Sequence, residues 1–233
     1  MSHQRKKTKI VATLGPATNS KEIITKMIQE GVNVFRINFS HANYKEVAQR
    51  VKYIREINEE LGFNAAILGD LQGPKLRVGL MKEGVVVNEG DEIIFVTGER
   101  FEGTKDRVYM TYDRFPQDAK PGEKILLDDG KLMFEVVSTD KKSEVKARVI
   151  QGGPLKSKKG VNLPNTNISQ PALTEKDIED VMFAIKLEVD WIALSFVRNP
   201  EDLMQLEELI KEHSEYKIPI IAKIEKPEAV KNI

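Results

Sequence analysis

Four short stretches gather charged and polar side chains of the kinds that act on anions. In residues 34–40, Val-Phe-Arg-Ile-Asn-Phe-Ser, strand alternation puts Arg36, Asn38 and Ser40 on one face and Phe35, Ile37 and Phe39 on the other. An inward guanidinium is costly without an anionic partner, and His41 follows directly. In residues 220–225, Ile-Ile-Ala-Lys-Ile-Glu, Lys223 and Glu225 again share a face. One reading of that pair is a structural ion pair. The other gives Glu225 to a hard metal ion and Lys223 to a phosphoryl group, since Mg²⁺ takes one or two carboxylates beside substrate oxygens. Residues 69–79 read Gly-Asp-Leu-Gln-Gly-Pro-Lys-Leu-Arg-Val-Gly, so an apolar run ends in turn-forming residues, an acid, two bases and an amide. Residues 152–160 set Lys156, Lys158 and Lys159 among glycines, which suits either a phosphate-holding hinge or a solvated basic loop.

Strands and helices must position these groups. Residues 8–14 read as a strand closed by Gly15-Pro16. A helix from about Ser20 carries Ile23, Ile24, Met27 and Ile28 on one face and stops at Gly31. Residues 34–40 and 65–68 are the next strands, with a helix over about 45–62 between them. After residue 170 come a helix opened by a capping box at Thr174, a strand over 191–197, a helix N-capped by Asn199-Pro200, and a strand over 218–225. Trp191, at the start of its strand, reads as core packing. Alternating strands and helices imply a parallel sheet with right-handed crossovers, in which ligands bind at the C-terminal strand ends. The pattern leaves open a five-stranded open sheet or an eight-stranded barrel lacking its last units. Residues 80–170 differ, with short Val/Ile-rich runs punctuated by Asn88-Glu89-Gly90-Asp91, Pro121-Gly122 and Asp128-Asp129-Gly130. The expected organisation is an α/β domain from 1–79 and 171–233, with a small all-β domain over 80–170 inserted in it.

Composition removes several function classes. Lys and Arg number 36 and Asp and Glu 36 in 233 residues, so no net charge draws the chain to nucleic acid or anionic membrane. There is no cysteine, hence no disulfide and no Cys-ligated zinc. No apolar run approaches the ~20 residues of a membrane span, and residues 1–9 lack a signal-peptide core. A soluble, cytoplasmic protein with no nucleic-acid or membrane partner is expected. Neither a P-loop nor a Gly-x-Gly-x-x-Gly after a strand is present, so any nucleotide binds by another route.

Read together, residues 8–17, 35–41, 70–77, 127–130, 158–164, 195–198 and 218–230 resemble the pyruvate kinase family, in the family's order and over essentially the whole chain. The resemblance implies an α/β fold: a TIM (β/α)8-type barrel, here truncated to about five β/α units, with the inserted all-β domain as a lid. It implies phosphoryl transfer from phosphoenolpyruvate to ADP, giving pyruvate and ATP in the last step of glycolysis, with Mg²⁺ or Mn²⁺. On that resemblance Arg36 holds the transferring phosphoryl group and Lys223 neutralises its charge. Ser195 and Phe196 line the phosphoenolpyruvate pocket, Glu225 ligates the metal, and Asn38, His41, Arg77 and Lys159 lie along the ADP/ATP phosphates.

The chain departs from the family in two ways. It stops before the family's sixth strand, whose Gly-Asp supplies a second metal carboxylate. The resemblance therefore implies an N-terminal part, inactive alone, of an enzyme whose full-length relatives are homo-tetramers. A non-catalytic nucleotide- or phosphate-binding module is the alternative. Second, potassium-dependent members read Asp-Thr-Lys-Gly-Pro-Glu where this chain has Asp70-Leu71-Gln72-Gly73-Pro74-Lys75. The family's monovalent-cation site uses the positions of Asn38, Ser40, Asp70 and Leu71. Lysine at position 75 is the potassium-independent pattern, a fixed ammonium in place of a recruited ion, so K⁺ is expected not to be required.

Overall fold

Strand β1 (Ile10–Thr13) leads through a 3₁₀ turn (Pro16–Thr18) into helix α1 (Lys21–Gln29) and strand β2 (Val32–Asn38). This is a computed structural model, and it describes residues 7–225, 227–231 and 233, without the side chains of His41, Pro227 and Glu228. Ser20 opens α1 by accepting the Ile23 N–H, as an N-cap must. A second 3₁₀ turn (Phe39–His41) precedes α2 (Tyr44–Leu61), which Asn43 caps and Gly62 ends in the left-handed region. Strand β3 (Ala66–Asp70) follows.

The chain then builds β4 (Val86–Val87), β5 (Glu92–Val96), β6 (Arg107–Tyr109), the single helical turn α3 (Phe115–Asp118), β7 (Lys124–Leu127), β8 (Leu132–Thr139), β9 (Glu144–Gln151), β10 (Gly153–Pro154) and β11 (Val161–Asn162). It resumes with α4 (Glu175–Lys186), β12 (Trp191–Leu194), α5 (Pro200–His213), β13 (Ile220–Ala222) and α6 (Pro227–Lys231). Two compact units result, residues 1–73 with 172–233, and residues 74–171. The break falls at 73/74 because Leu76 and Val78 enter the second core. Turn chemistry alone does not show which core such residues join.

In the first unit five parallel strands run in the order β1-β2-β3-β12-β13. A doubly wound sheet reverses its order at a switch point, and this one does not. The succession is the singly wound order of a β/α barrel. Phe35, Ile37, Ile67, Ile192 and Leu194 bury one face of the sheet with Ile24, Val51, Ile54, Val181 and Leu206 from the helices. The alternate residues carry the site, together with Val11, Trp191 and Ile221. Trp191 corrects its sequence reading: it is 40% exposed, because alternation places it opposite the buried Ile192.

Three strands end well before their sequence pattern suggests. Among them β12 stops at Leu194 instead of running to Val197, because the chain turns there into the positive-φ Phe196. β2 stops at Asn38, whose Oδ1 accepts the Ser40 N–H at 3.1 Å and closes the 3₁₀ turn. Ser40 therefore leaves the face it was expected to share with Arg36 and Asn38. β13 stops at Ala222, so Lys223 and Glu225 lie on irregular chain just beyond it. The capping box at Thr174 and the N-cap at Asn199 form as their sequences suggest.

The second unit contains a six-stranded sheet, β11-β7-β8-β9-β5-β6, and the antiparallel pair β10-β4. Its core holds Phe95, Phe115 and Phe134, with Phe95 edge-on to the other two rings at 6.1 and 5.4 Å. No helix among the described residues is long and apolar enough to cross a membrane.

Gly73, at φ +66°, has a backbone that L side chains avoid, and a Cβ there would meet the Ser195 carbonyl oxygen at 2.8 Å. Gly62, at φ +69°, faces open space. Gly73→Ala should cost about 3 kcal/mol and Gly62→Ala about 1 kcal/mol. Denaturant unfolding checks the order; equal costs would contradict the close approach.

Candidate active site

Asp70 ends β3, paired in register with Asn38 on β2 and Ala193 on β12. Its side chain is 4% exposed, and a buried carboxylate needs partners. Arg36 Nε donates to its Oδ2 at 2.6 Å, and Lys223 Nζ donates to its Oδ1 at 3.1 Å. These cations are 29% and 30% exposed, so a dry acid anchors two groups that still reach solvent. Arg36 Nη1 also donates to Thr13 Oγ1 at 3.0 Å. Lys223 donates to Ser195 Oγ at 2.9 Å, and that hydroxyl donates to the Leu71 carbonyl at 2.7 Å. One connected network thus draws on β1, β2, β3 and the segments just after β12 and β13.

The turn after β12 is pinned on both sides. Phe196 has φ +58°, an uncommon backbone for a bulky residue. Its N–H donates to Glu225 Oε2 at 3.0 Å. Lys223 N–H donates to the Leu194 carbonyl at 3.0 Å. Arg198 then grips Asp202, in the first turn of α5, through Nε at 3.0 Å and Nη2 at 2.8 Å. Glu225 Oε1 lies 4.0 Å from Lys223 Nζ.

The structure joins Arg36, Asp70, Ser195 and Lys223 directly. Leu71 takes part through its carbonyl, Phe196 through its amide, and Glu225 borders the group. Asn38 turns its oxygen to the Ser40 amide, and His41's side chain is outside the described residues. Residue 226 and the side chains of Pro227 and Glu228, within the matching stretch 218–230, are outside them too. Thr13 was not singled out from sequence. Its signal is register, for Thr13 lies opposite Arg36 in the β1-β2 pairing. Beside Asn38, a cavity of about 330 Å³ has Leu14, Pro16, Ile37 and Val47 among its apolar walls and Asn43, Glu46 and Arg50 among its polar ones.

The remaining candidates belong to the second unit. Arg77 Nη1 donates to the Lys158 carbonyl at 2.7 Å. Lys159 Nζ lies 2.9 Å from Asp128 Oδ1, and its hydrogen bond, helped by Lys131, holds the Asp128 carboxyl below the usual carboxylate range. Lys75 is exposed.

Among the described residues, no group of three or more His, Cys, Asp or Glu is placed to hold a metal ion. Glu225 is the accessible carboxylate of the site, 39% exposed. That fits one ligand of a hard divalent ion whose other ligands are substrate oxygens and water.

A singly wound parallel β/α sheet with an Arg–Asp–Lys network at its strand ends defines a barrel-type domain suited to an anionic substrate. A family model described as "Pyruvate kinase, barrel domain" matches residues 5–233. The chain is 48% identical over 225 residues to a pyruvate kinase of Corynebacterium efficiens, covering 97% of itself and 47% of that protein. It is 46% identical over 228 residues to one of Corynebacterium glutamicum (98% and 48%) and 43% identical over 229 residues to one of Bacillus licheniformis (98% and 39%). The chain belongs to the pyruvate kinase family. It spans half or less of the length of these relatives.

Asp70→Ala leaves two cations sharing one site. It should cost about 2 kcal/mol, below the ~3–5 of a fully buried pair because both cations reach solvent. Denaturant unfolding measures this, and the loss should shrink in a Lys223→Met background. In the second unit, a depressed Asp128 pKa stabilises the fold above the unfolded value of about 4 and stops doing so as pH falls through the folded value. Asp128→Asn should flatten the acid limb of stability against pH, and an unchanged slope would refute the pairing.

Proposed function

We propose that the protein built on this chain transfers the phosphoryl group of phosphoenolpyruvate to ADP, forming pyruvate and ATP in glycolysis. The observation that carries this reading is the Arg36–Asp70–Lys223–Ser195 network at the C-terminal strand ends of a pyruvate kinase family chain. The reaction breaks the bond between phosphorus and the enol oxygen and forms one to a terminal phosphate oxygen of ADP. The bond electrons stay on the enol oxygen, and a proton from solvent then adds to the methylene carbon, turning the enolate into the keto group and methyl of pyruvate. Catalysis of this kind is mainly positioning and charge stabilisation. Arg36 holds the phosphoryl oxygens, and Lys223 stabilises the charge that shifts during transfer. Asp70 does not react; it fixes both cations, and Ser195 orients the lysine from the other side. Ser195 and Phe196 border the phosphoenolpyruvate pocket.

Glu225 holds Mg²⁺ or Mn²⁺, which when bound supplies Lewis-acid stabilisation of substrate oxygens. Arg36, Lys223, Asp70 and Glu225 balance in charge, so the site would take the opposite charges of a divalent ion and a phosphoryl dianion with no net change. Asn38 and His41 at the exit of β2, and Arg77 and Lys159 in the second unit, are the candidates for nucleotide phosphates. The cavity beside Asn38, with apolar walls and a polar rim, suits a nucleobase. Lysine at position 75, the potassium-independent sequence pattern, removes the need for K⁺. In the same reading the five β/α units begin a (β/α)8 barrel, residues 74–171 are its inserted lid, and the protein works in the cytoplasm as a homo-tetramer.

A turnover assay with phosphoenolpyruvate, ADP and Mg²⁺ tests the reading. A full-length protein carrying this chain should be active without K⁺, and Lys223→Met should lower kcat about 10²–10³-fold. The 233-residue chain alone should bind ADP in calorimetry yet show no turnover. Absence of turnover from the full-length protein overturns the reading, and strong K⁺ activation removes the role given to Lys75.

A further inference from the structure

Two buried carboxylates of the first unit, Asp177 and Asp180, take no part in the network around Asp70. Both are fully buried, at 0% exposure, one turn apart on α4. A carboxylate is tolerated there only where its hydrogen bonds offset the loss of water. Asp177 Oδ2 serves the helix cap, accepting Thr174 N–H at 2.9 Å and Thr174 Oγ1–H at 2.6 Å. Its other oxygen leaves the helix and accepts Gly73 N–H at 3.0 Å. Gly73 follows Asp70 through Leu71 and Gln72, on the exit from β3.

Asp180 reaches the other exit. It accepts the Tyr44 hydroxyl at 2.6 Å and the Lys176 ammonium at 2.5 Å. Lys176 Nζ donates as well to the Phe39 carbonyl at 3.0 Å. That carbonyl begins the turn bearing Ser40 and His41, and its backbone donor, Ala42 N–H, lies at a weak 3.4 Å. A plain ion pair needs no such third bond. Helix α4 supplies no residue to the site, yet its first turns hold the exits of β2 and β3, two of the strands that do.

We infer that Lys176, Asp177 and Asp180 are positioning residues for phosphoryl transfer: Lys176, steadied by Asp180, fixes the exit of β2 with Asn38 and Ser40, and Asp177 fixes the exit of β3 with Asp70. Small displacements of such groups cost rate steeply, which gives the device its purpose. The inference rests on the function proposed above, and its test separates the two.

Amide hydrogen exchange on the full chain reads the exits without any ligand. Asp177→Ala should speed exchange at Gly73 about tenfold, the factor expected for one lost hydrogen bond to a charged group, while Asp177→Asn retains most protection. Lys176→Met should speed Ser40 to a similar degree, with rescue by Lys176→Arg, and leave Ile37 in the core of β2 unchanged. In turnover by the full-length protein, Lys176→Met should raise KM for ADP more than for phosphoenolpyruvate, and Asp177→Ala should act chiefly on kcat. Exchange that rises equally at Ile37, or no change at Gly73 and Ser40, overturns the inference. Local exchange changes in a protein without turnover would uphold the clamp and reject the function.

Discussion

The first unit depends on a carboxylate that cannot be left alone. Asp70 is almost completely buried and is satisfied only because Arg36 arrives from β2 and Lys223 from beyond β13. That requires strands distant in sequence to sit in one register. Arg36 lies opposite Leu68 and Asn38 opposite Asp70, so both basic and acidic side chains project from the same face. A slip of one residue would turn every one of them toward the helices and expose Phe35 and Ile37 in exchange. Hydrophobic register and site geometry are therefore one constraint.

The site also shows how a parallel sheet concentrates chemistry past its strand ends. Within the strands, backbone groups pair with neighbouring strands and side chains alternate. Beyond them the chain is free to bend, and here it bends under local hydrogen bonds: Asn38 to Ser40, Phe196 to Glu225, Gly73 to Asp177. Each bend is set by a polar side chain on another segment or in the turn itself. The second unit manages its charge differently, with pairs such as Lys159–Asp128 and Lys124–Glu135 nearer to water and a core rich in aromatic rings.

Much of this was legible in the chain. Alternation in residues 34–40 separated the apolar face of β2 from its polar one, and Ser20, Thr174 and Asn199 marked helix starts where they occur. The strand ends were not legible. A period-two pattern runs on through Ser40 and Glu225, whereas the strands stop at Asn38 and Ala222. Side-chain capping and the end of the neighbouring strand decide where pairing stops, and neither leaves a mark in periodicity. Trp191 misled for a related reason: its residue type suggests core, but its place in the alternation puts it on the face opposite the helices. Thr13 is an ordinary strand residue until register sets it beside Arg36.

The amino-acid sequence by itself determined the order of strands and helices, the break in pattern that marks the second unit, and the residue types of the candidate site, because these follow from local periodicity, turn chemistry and charge. Its motifs also carried the family resemblance. Only the tertiary structure decided that Asp70 joins Arg36 to Lys223, that Ser195 relays from Lys223 to the Leu71 carbonyl, and that α4 reaches both strand exits. Those contacts link residues far apart in the chain. They depend on which segments the buried apolar faces bring side by side, and no local pattern encodes that.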